Sequence, residues 1–313
     1  MTGIASRLAP VGVFVGLTTL DVIHRSRCAP GPDEKMTAER QDLAAGGPAA
    51  NAAVVFAALG GRPRLVTALG DGPAAAIARA DLEAHGVEVV DLAQETAMDL
   101  GVSAIRVDAL TGSRSVLSMD AAAHDLAAPE DIGRLFDGCE VALFDGHHPR
   151  VASPLAEAAR AQGIPVVIDA GRWKPVMAEL IPAATTVIAS ADFRLVDGQR
   201  PGRHLMNGAA DDGSRVRSGS SARWAVTHGA GSVDWWTADA AGEAAGEVDV
   251  PIVEAVDTLG AGDAFHGAFA YASVRGPTSF AAQLRYAAGV ASLRCSVVGP
   301  REWLALLGSR RGA

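Results

Sequence analysis

The chain has few cysteines, few lysines and few aromatic residues. Its three cysteines, Cys28, Cys139 and Cys295, lie far apart and form no CxxC pair, so they predict neither a zinc site nor a disulfide framework. Lysine occurs only at Lys35 and Lys174, and the other basic residues are scattered arginines in a chain of formal net charge −9. Because no run of basic residues is present, nucleic acid is not expected as a partner.

Long apolar runs are also absent. The apolar run 11–15 is short and lacks a basic leader, so we expect a buried strand there rather than a signal peptide. No stretch approaches the ~20 apolar residues of a membrane span, and no membrane partner is expected. We therefore expect a cytoplasmic protein whose 313 residues, 1–313, form a single α/β domain.

Short apolar runs alternate with longer, alanine-rich segments along most of the chain. The runs are rich in β-branched residues, as is typical of strands that are buried on both faces of a parallel sheet. Strands are predicted over 11–15, 65–69, 87–92, 141–144, 166–169 and 186–189, and helices over 51–59 and 73–85. This alternation predicts a doubly wound α/β sheet with helices on both faces.

Two segments interrupt the alternation. Residues 17–42 are polar and irregular, and residues 101–119 have the pattern of two strands around the turn Thr111-Gly112-Ser113. We expect these excursions, about 17–45 and 101–120, to form a small β-sheet that covers the site as a lid. A third polar stretch, 198–221, is rich in Gly, Ser and Arg and is predicted to be a surface loop.

The most informative stretch is Asp257 to Phe265, with the sequence DTLGAGDAF. It follows a strand-like run, 248–253, and opens an apolar helix. Small residues before Asp263 let the backbone turn tightly and direct N–H groups into one concavity at a helix N-terminus, which favours an anion. A carboxylate there can accept a hydroxyl proton while the amides stabilise a transferring phosphate. The alternative is a glycine-rich turn in which Asp263 only caps the helix.

A second motif, Gly46-Gly47-Pro48-Ala49-Ala50-Asn51, also stands at a predicted helix start. Paired glycines allow a ligand to approach the backbone, and the amide of Asn51 offers both a donor and an acceptor to a hydroxyl group. Taken alone, the motif fits a plain N-terminal turn equally well.

Together the two motifs resemble those of the ribokinase/PfkB family of carbohydrate kinases. The first family signature matches Gly46 to Asn51 and leads to Gly70-Asp71, and the second, D-T-x-G-A-G-D-x-F, matches Asp257 to Phe265 without a break. The resemblance runs from about Val11 to Trp303. It implies a ribokinase-like fold and phosphoryl transfer from ATP to a sugar hydroxyl. Neither lysine follows a glycine, so no Walker A motif exists and a P-loop kinase is excluded.

The resemblance also implies roles for individual residues. Asp263 would be the general base. The amides of Gly260, Ala261 and Gly262 would form the anion hole, and Asp21, Gly46, Gly47 and Asn51 would line the sugar pocket. Thr227, Gly229 and Gly231 would form the nucleotide loop. Arg114 matches a basic residue that reaches the site from the lid in several branches, although a solvated turn arginine is the alternative.

Cofactors and assembly are likewise implied by the resemblance. The family commonly carries N-x-x-E after a strand to organise Mg²⁺, but the segment here is Ala189-Ser190-Ala191-Asp192, so Asn is absent and Asp192 stands in for Glu. ATP and Mg²⁺ are still expected, because the metal offsets charge on the β- and γ-phosphates. A monovalent cation, K⁺, near Asp257 is left open. A homodimer formed through the lid strands is expected from the family.

The sugar is the least determined feature. The chain looks closest to the ketohexokinase-like and sulfofructose-kinase-like branches, and Lys35 falls where the second branch carries a lysine for an anionic substrate. His147 and Ser118, however, replace the expected Arg and Asn, which leaves fewer donors for a sulfonate or phosphate. A neutral keto- or aldo-sugar is therefore favoured. Asp145 and His147 follow a predicted strand, where open α/β sheets bind ligands, and are expected to touch it.

Three alternatives remain for the function. The acceptor could be an anionic sugar such as a sulfosugar, a phosphosugar or a sugar acid. A nucleoside is less favoured, because only 5% of the chain is aromatic and a stacked base usually needs an aromatic partner. A catalytically silent sugar-binding sensor belongs to another class. Retention of the complete Gly260 to Asp263 group argues against a sensor, which needs no base.

Overall fold

A computed structural model describes residues 8–94, 98–119, 126–203, 222–239 and 242–308. The strands are β1 (Val11–Val15), β2 (Thr19–Ser26), β3 (Arg40–Gly46), β4 (Arg62–Thr67), β5 (Glu88–Asp91), β6 (Val102–Asp108), β7 (Arg114–Leu117), β8 (Cys139–Phe144), β9 (Val166–Ala170), β10 (Thr186–Ser190), β11 (Arg223–Thr227), β12 (Val233–Asp239) and β13 (Gly242–Val248). The helices are α1 (Pro48–Ala58), α2 (Pro73–Ala84), α3 (Ile132–Leu135), α4 (Pro149–Ala161), α5 (Met177–Ala183), α6 (Ala261–Arg275), α7 (Phe280–Cys295) and α8 (Ala305–Gly308), with a 3₁₀ turn over Glu302–Leu304.

Nine strands form the large sheet, in the order β13-β12-β11-β10-β9-β8-β1-β4-β5. Neighbours from β11 to β5 are parallel, and β12 and β13 add an antiparallel edge. All five residues of β1 are buried, because helices cover both faces of the sheet at this point. One apolar layer includes α1, α6 and α7, and the opposite layer includes α4 and α5. The predicted doubly wound α/β fold is confirmed.

The strand order reverses at β1. The chain proceeds from β1 to β4 and β5 on one side of the sheet and then returns to β8 on the other side. At such a reversal the loops that leave neighbouring strands diverge and open a crevice, where α/β sheets bind ligands. The carboxyl ends of β1 and β8 therefore mark the centre of the candidate site.

The small predicted sheet is present, with strand order β3-β2-β6-β7. Its inner face packs Ile23 and Ile105 against Leu259, which lies just before α6. The segment expected to be irregular, 17–42, in fact contains the regular strand β2 and the start of β3. The backbone pairing of β2 with β3 and β6 explains the difference, because a strand in a small sheet can carry polar side chains such as His24 and Arg25 on either face.

The prediction of a strand over 248–253 is wrong. Strand β13 ends at Val248, and the following residues up to Val256 form no strand. Pro251 lacks the N–H group that a ladder requires, so the apolar residues there do not extend the sheet. The predicted surface loop at 198–221 lies outside the described residues from 204 onward, as does residue 120 at the end of the predicted lid. None of the described helices is both long and apolar enough to cross a membrane.

Candidate active site

The start of α6 forms a backbone concavity beneath the small sheet. Gly260 precedes the helix with φ of 71°, a left-handed conformation that glycine adopts readily. The first turn of a helix has N–H groups without intrahelical partners, and Gly262 here is exposed. The N–H of Ala261 makes only a long contact, 3.4 Å, with the carbonyl oxygen of Thr258. The predicted anion-hole residues thus lie at one helix N-terminus, which favours negative charge.

Asp263 lies in the first turn of α6, beside this concavity. Asn51 Nδ2 donates a hydrogen bond to Asp263 Oδ2 at 2.8 Å, which joins the two sequence motifs across 212 residues. Burial and the nearby Asp169 carboxylate raise the pKa of Asp263 to about 6, against the opposing effects of Asn51, His266 and Arg114. A carboxylate with a raised pKa is a stronger base than an ordinary aspartate and is still ionised at neutral pH.

Arg301 fixes the orientation of Asn51. Arg301 Nη1 donates to Asn51 Oδ1 at 3.0 Å, so the amide nitrogen of Asn51 points towards Asp263. The same guanidinium donates to the carbonyl of Ala45 at the end of β3 and pairs with Asp81 at 2.8 Å. Burial alone would raise the pKa of Asp81, but His85 and Arg301 outweigh it and hold the pKa below its usual range.

Asp21 and Gly46 form the neighbouring part of the site. A Cβ atom on Gly46 would lie 2.1 Å from Asp21 Oδ2, so only glycine leaves room for this carboxylate. Thr19 Oγ1 donates to Asp21 Oδ1 at 2.8 Å, and burial raises the pKa of Asp21. Gly47 has φ of 100°, and a Cβ there would approach the carbonyl oxygen of Leu17 to 2.2 Å. Asp21 and Asn51 line one small cavity together with Gly260.

Asp145 follows β8 at the reversal point, and its carboxylate is enclosed by donors. Oδ2 accepts from the N–H groups of Leu17 and Ala49, and Oδ1 accepts from the backbone of His147 and contacts its Nδ1 at 2.9 Å. Burial alone would raise the pKa of Asp145, but His147 and Lys174 outweigh it and lower the pKa. The carboxylate therefore ties together the loop after β1, the start of α1 and the loop after β8.

Asp169 lies at the carboxyl end of β9, and its carboxylate interacts electrostatically with those of both Asp145 and Asp263. His266 Nδ1 is 2.8 Å from the carbonyl oxygen of Gly262 and 3.5 Å from Asp169 Oδ2. Burial raises the pKa of Asp169, with His266 opposing the shift. Asp169 was not predicted as a site residue. Its place at the carboxyl end of a buried strand, where open α/β sheets bind ligands, is the signal that could have identified it.

The small sheet touches the loop before α6, which carries the predicted anion-hole residues. Gly112, in the turn between β6 and β7, accepts hydrogen bonds from the N–H and the hydroxyl of Thr258, both at 2.9 Å. Arg114 Nη1 lies 3.3 Å from Thr258 Oγ1, which brings this arginine to the site. Arg25 Nη1 donates to the carbonyl of Val256 at 2.8 Å. Lys35, in contrast, is exposed and makes no hydrogen bond or ion pair in the described part of the chain.

The predicted nucleotide loop follows β11. The carbonyl of Thr227 accepts from the N–H of Ala191, which joins this loop to the end of β10. Gly229 has φ of 64°, and Gly231 is exposed on the same turn. Asp192, also exposed, follows Ala191 directly. An oxygen ligand at this edge fits a metal that is held by one carboxylate and by phosphate oxygens. Within the described ranges, no group of three or more His, Cys, Asp or Glu is arranged to hold a metal ion.

The space beside Asp257 contains the guanidinium of Arg294. Arg294 Nη2 lies 3.1 Å from Asp257 Oδ2, and both side chains are almost completely buried. Arg294 and Arg301 were not predicted as site residues. Arg294 is the one charged residue in the last two turns of α7, whereas the sequence Gly299-Pro300-Arg301 predicts no role for the side chain of Arg301.

Comparisons with known proteins agree with this geometry. The family described as pfkB family carbohydrate kinase matches residues 12–305. Ketohexokinase of Mus musculus is 25% identical over 300 residues, covering 91% of this chain and 96% of that protein. An ATP-dependent ribose-1-phosphate kinase of Halopiger xanaduensis is 29% identical over 258 residues, 81% of each chain. The structure of Arabidopsis thaliana ribokinase complexed with ribose and ATP is similar in fold, with a TM-score of 0.68 and 21% identity over 96% of this chain and 99% of that one.

Proposed function

The chain belongs to the pfkB family of carbohydrate kinases, and we propose that it transfers the γ-phosphoryl group of ATP to a hydroxyl of a small neutral sugar. The observation that carries the proposal is the position of Asp263. It is a carboxylate with a raised pKa at an open helix N-terminus, aligned by Asn51. This combination provides a base and an anion site within one helical turn.

In the proposed reaction, Asp263 accepts the proton of the sugar hydroxyl as that oxygen attacks the γ-phosphorus. The bond from phosphorus to the β,γ-bridging oxygen breaks, and ADP leaves. The amides of Gly260, Ala261 and Gly262 stabilise the charge on the transferring group, and Arg114 adds a positive charge from the small sheet. The small sheet acts as a lid that excludes water, which would otherwise compete as the acceptor.

Mg·ATP is the proposed second substrate. Thr227, Gly229 and Gly231 would contact the nucleotide, because their turn is exposed beside the end of β10. Asp192 would hold the metal, directly or through water, since it offers the oxygen ligand that Mg²⁺ prefers. The names of the relatives support ATP as the donor, because one is an ATP-dependent kinase and one structure contains ATP.

The charges around the sugar site support a neutral acceptor. Asp21 and Asp263 supply carboxylates, which bind hydroxyl groups and repel anions. Arg301 is already paired with Asp81, and Lys174 donates to the carbonyl of Asp145 at 2.9 Å. A phosphosugar is the second candidate, because a ribose-1-phosphate kinase is among the relatives. Asp145 and His147 would act on the sugar indirectly, since both are engaged with each other.

Assembly and location are also part of the proposal. The outer face of the small sheet exposes Leu43, Val102 and Leu117, which supports a homodimer that buries this face. A single domain over 1–313 and a cytoplasmic location, where ATP is supplied, complete the proposed description.

The test is ADP release from Mg·ATP across a panel of neutral keto- and aldo-sugars and phosphosugars. Asp263→Asn is measured in parallel with Asp137→Asn, a matched change of an exposed aspartate. We expect a neutral sugar to give turnover in the wild type and in Asp137→Asn, but not in Asp263→Asn. Turnover with a phosphosugar alone would select the second candidate. ATP hydrolysis that no sugar stimulates would contradict both.

A further inference from the structure

Arg294 carries a permanent charge in the buried last turn of α7. Its exposed fraction is 2%. Val290, in the same helix, belongs to the hydrophobic core, and Leu293 packs against that core. Arginine stays protonated in proteins, so this charge cannot be removed by loss of a proton. A buried charge is costly unless fixed partners surround it, and those partners indicate what the charge is for.

The partners of Arg294 are two main-chain carbonyls and one carboxylate. Nη1 donates to the carbonyl of Val297 at 3.0 Å and lies 3.5 Å from the carbonyl of Asp257. Nη2 lies 3.1 Å from Asp257 Oδ2. The carboxylate of Asp257 in turn accepts from the N–H groups of Leu259 and Gly299, at 3.0 and 3.1 Å.

These contacts place the guanidinium of Arg294 against the loop that leads into the proposed anion hole. Asp257 and Leu259 belong to the segment between β13 and α6, and Gly260 follows at once. Without a compensating charge, the buried carboxylate of Asp257 would weaken the attraction of this loop for a phosphate group. Arg294 neutralises that carboxylate and fixes the backbone that leads into α6.

The same oxygen atoms would suit an alkali cation, because carbonyl and carboxylate oxygens replace the hydration shell of K⁺. The guanidinium nitrogens already lie 3.0–3.5 Å from them. A second positive charge about 4 Å from the guanidinium would be bound about 1,000-fold less tightly, at an effective dielectric constant of about 20. The residues around Asp257 therefore do not fit a monovalent metal ion.

We infer that Arg294 is the built-in cation of the anion-hole loop, so that phosphoryl transfer by this chain requires no K⁺ or other monovalent metal ion. The inference rests on the proposed kinase function for its activity test. Arg294 acts as a positioning residue, because its hydrogen bonds and its ion pair are to Asp257 and Val297.

The first experiment measures turnover and thermal unfolding of the wild type with tetramethylammonium as the only monovalent cation. K⁺ or Na⁺ then replaces it at constant ionic strength. We expect no K⁺-specific change in kcat and none in Tm, since a ligand that binds only the folded state raises Tm. Activation by K⁺, or a rise of Tm with K⁺ over Na⁺, would overturn the inference. Turnover that is absent under every cation would instead contradict the proposed function, and the Tm comparison would still decide the role of Arg294.

The second experiment removes the charge. In Arg294→Ala we expect kcat to fall on the order of 10- to 100-fold, because the loop loses its alignment, and we expect added guanidinium or K⁺ to restore part of it. Arg285→Ala, an exposed arginine in the same helix, is the matched control and should behave as the wild type. If Arg294→Ala does not fold, Arg294→Lys retains the charge and should remain independent of K⁺. A folded Arg294→Ala with unchanged turnover would contradict the inference.

Discussion

Asp145 and Asp263 are both aspartates at the ligand-binding edge of the large sheet, but their surroundings have opposite effects. Donors from three segments surround Asp145, and His147 and Lys174 hold its pKa below the usual range. Asp263 accepts one hydrogen bond, from Asn51, and has Asp169 as a neighbour, which helps raise its pKa to about 6.

The difference predicts two roles at one sheet edge, a structural carboxylate at Asp145 and a base at Asp263. A carboxylate saturated with hydrogen bonds is stabilised as an anion and has little affinity left for a proton. A carboxylate with one donor and a nearby negative charge keeps that affinity. Asp145 should therefore govern stability, whereas Asp263 should govern turnover.

The largest effect is expected for Asp145→Asn. The amide would present N–H groups to donors that need an acceptor, and we expect a loss of about 3–5 kcal/mol in the free energy of unfolding at neutral pH. Because the folded-state pKa of Asp145 is lowered, its stabilisation is present above about pH 4 and is lost as the pH falls. Urea unfolding of this variant and of Asp137→Asn, at pH 7 and at pH 3, tests this. Equal free energies of unfolding for Asp145→Asn and Asp137→Asn at pH 7 would contradict the structural role of Asp145.

Asp263→Asn should show the reverse pattern. We expect kcat to fall at least ~100-fold, while the free energy of unfolding at pH 7 stays the same or rises. The raised pKa means that ionised Asp263 destabilises the fold above that pKa, and a neutral amide removes this cost. Steady-state kinetics and urea unfolding of one preparation give both quantities. A large loss of stability with normal turnover would contradict the assignment.

Arg301→Lys should reduce kcat/KM about 10-fold. A lysine cannot hold Asn51, Ala45 and Asp81 together, and loss of one hydrogen bond to a charged group costs about 1.5 kcal/mol. Kinetics with the accepted sugar measure this effect, with Arg285→Lys as the control. Unchanged kcat/KM would show that Asn51 needs no support from Arg301.

Asp169→Asn should give the smallest effect. Removing its negative charge lowers the pKa of Asp263, so the acid side of the pH profile of kcat/KM should move to lower pH. Profiles of this variant and of the wild type, recorded in the same buffers, test the shift. An acid side that stays in place would show that Asp169 does not influence the base.

The sequence predicts the place of some of these residues but not of others, and the difference has a physical cause. The motif Asp257 to Phe265 predicts the place of Asp263 and of the neighbouring amides, because tight turns at helix starts need small residues in a fixed order. The buried β-branched runs predict β1, β8, β9 and β10, because a continuous run of this kind is typical of a strand that is buried on both faces of a parallel sheet. Nothing local marks Arg301, whose partners Asn51 and Asp81 are 250 and 220 residues away. Tertiary packing alone brings them together.

The protonation of Asp263 is tested most directly by the pH dependence of kcat/KM for the sugar at saturating Mg·ATP. Because the base must be ionised, kcat/KM should fall about tenfold per pH unit below about pH 6 and recover when the enzyme returns to neutral pH. This acid side should be absent from the residual activity of Asp263→Asn. A profile that stays flat to pH 5, or an acid side that persists in Asp263→Asn, would contradict the assignment of Asp263 as the general base.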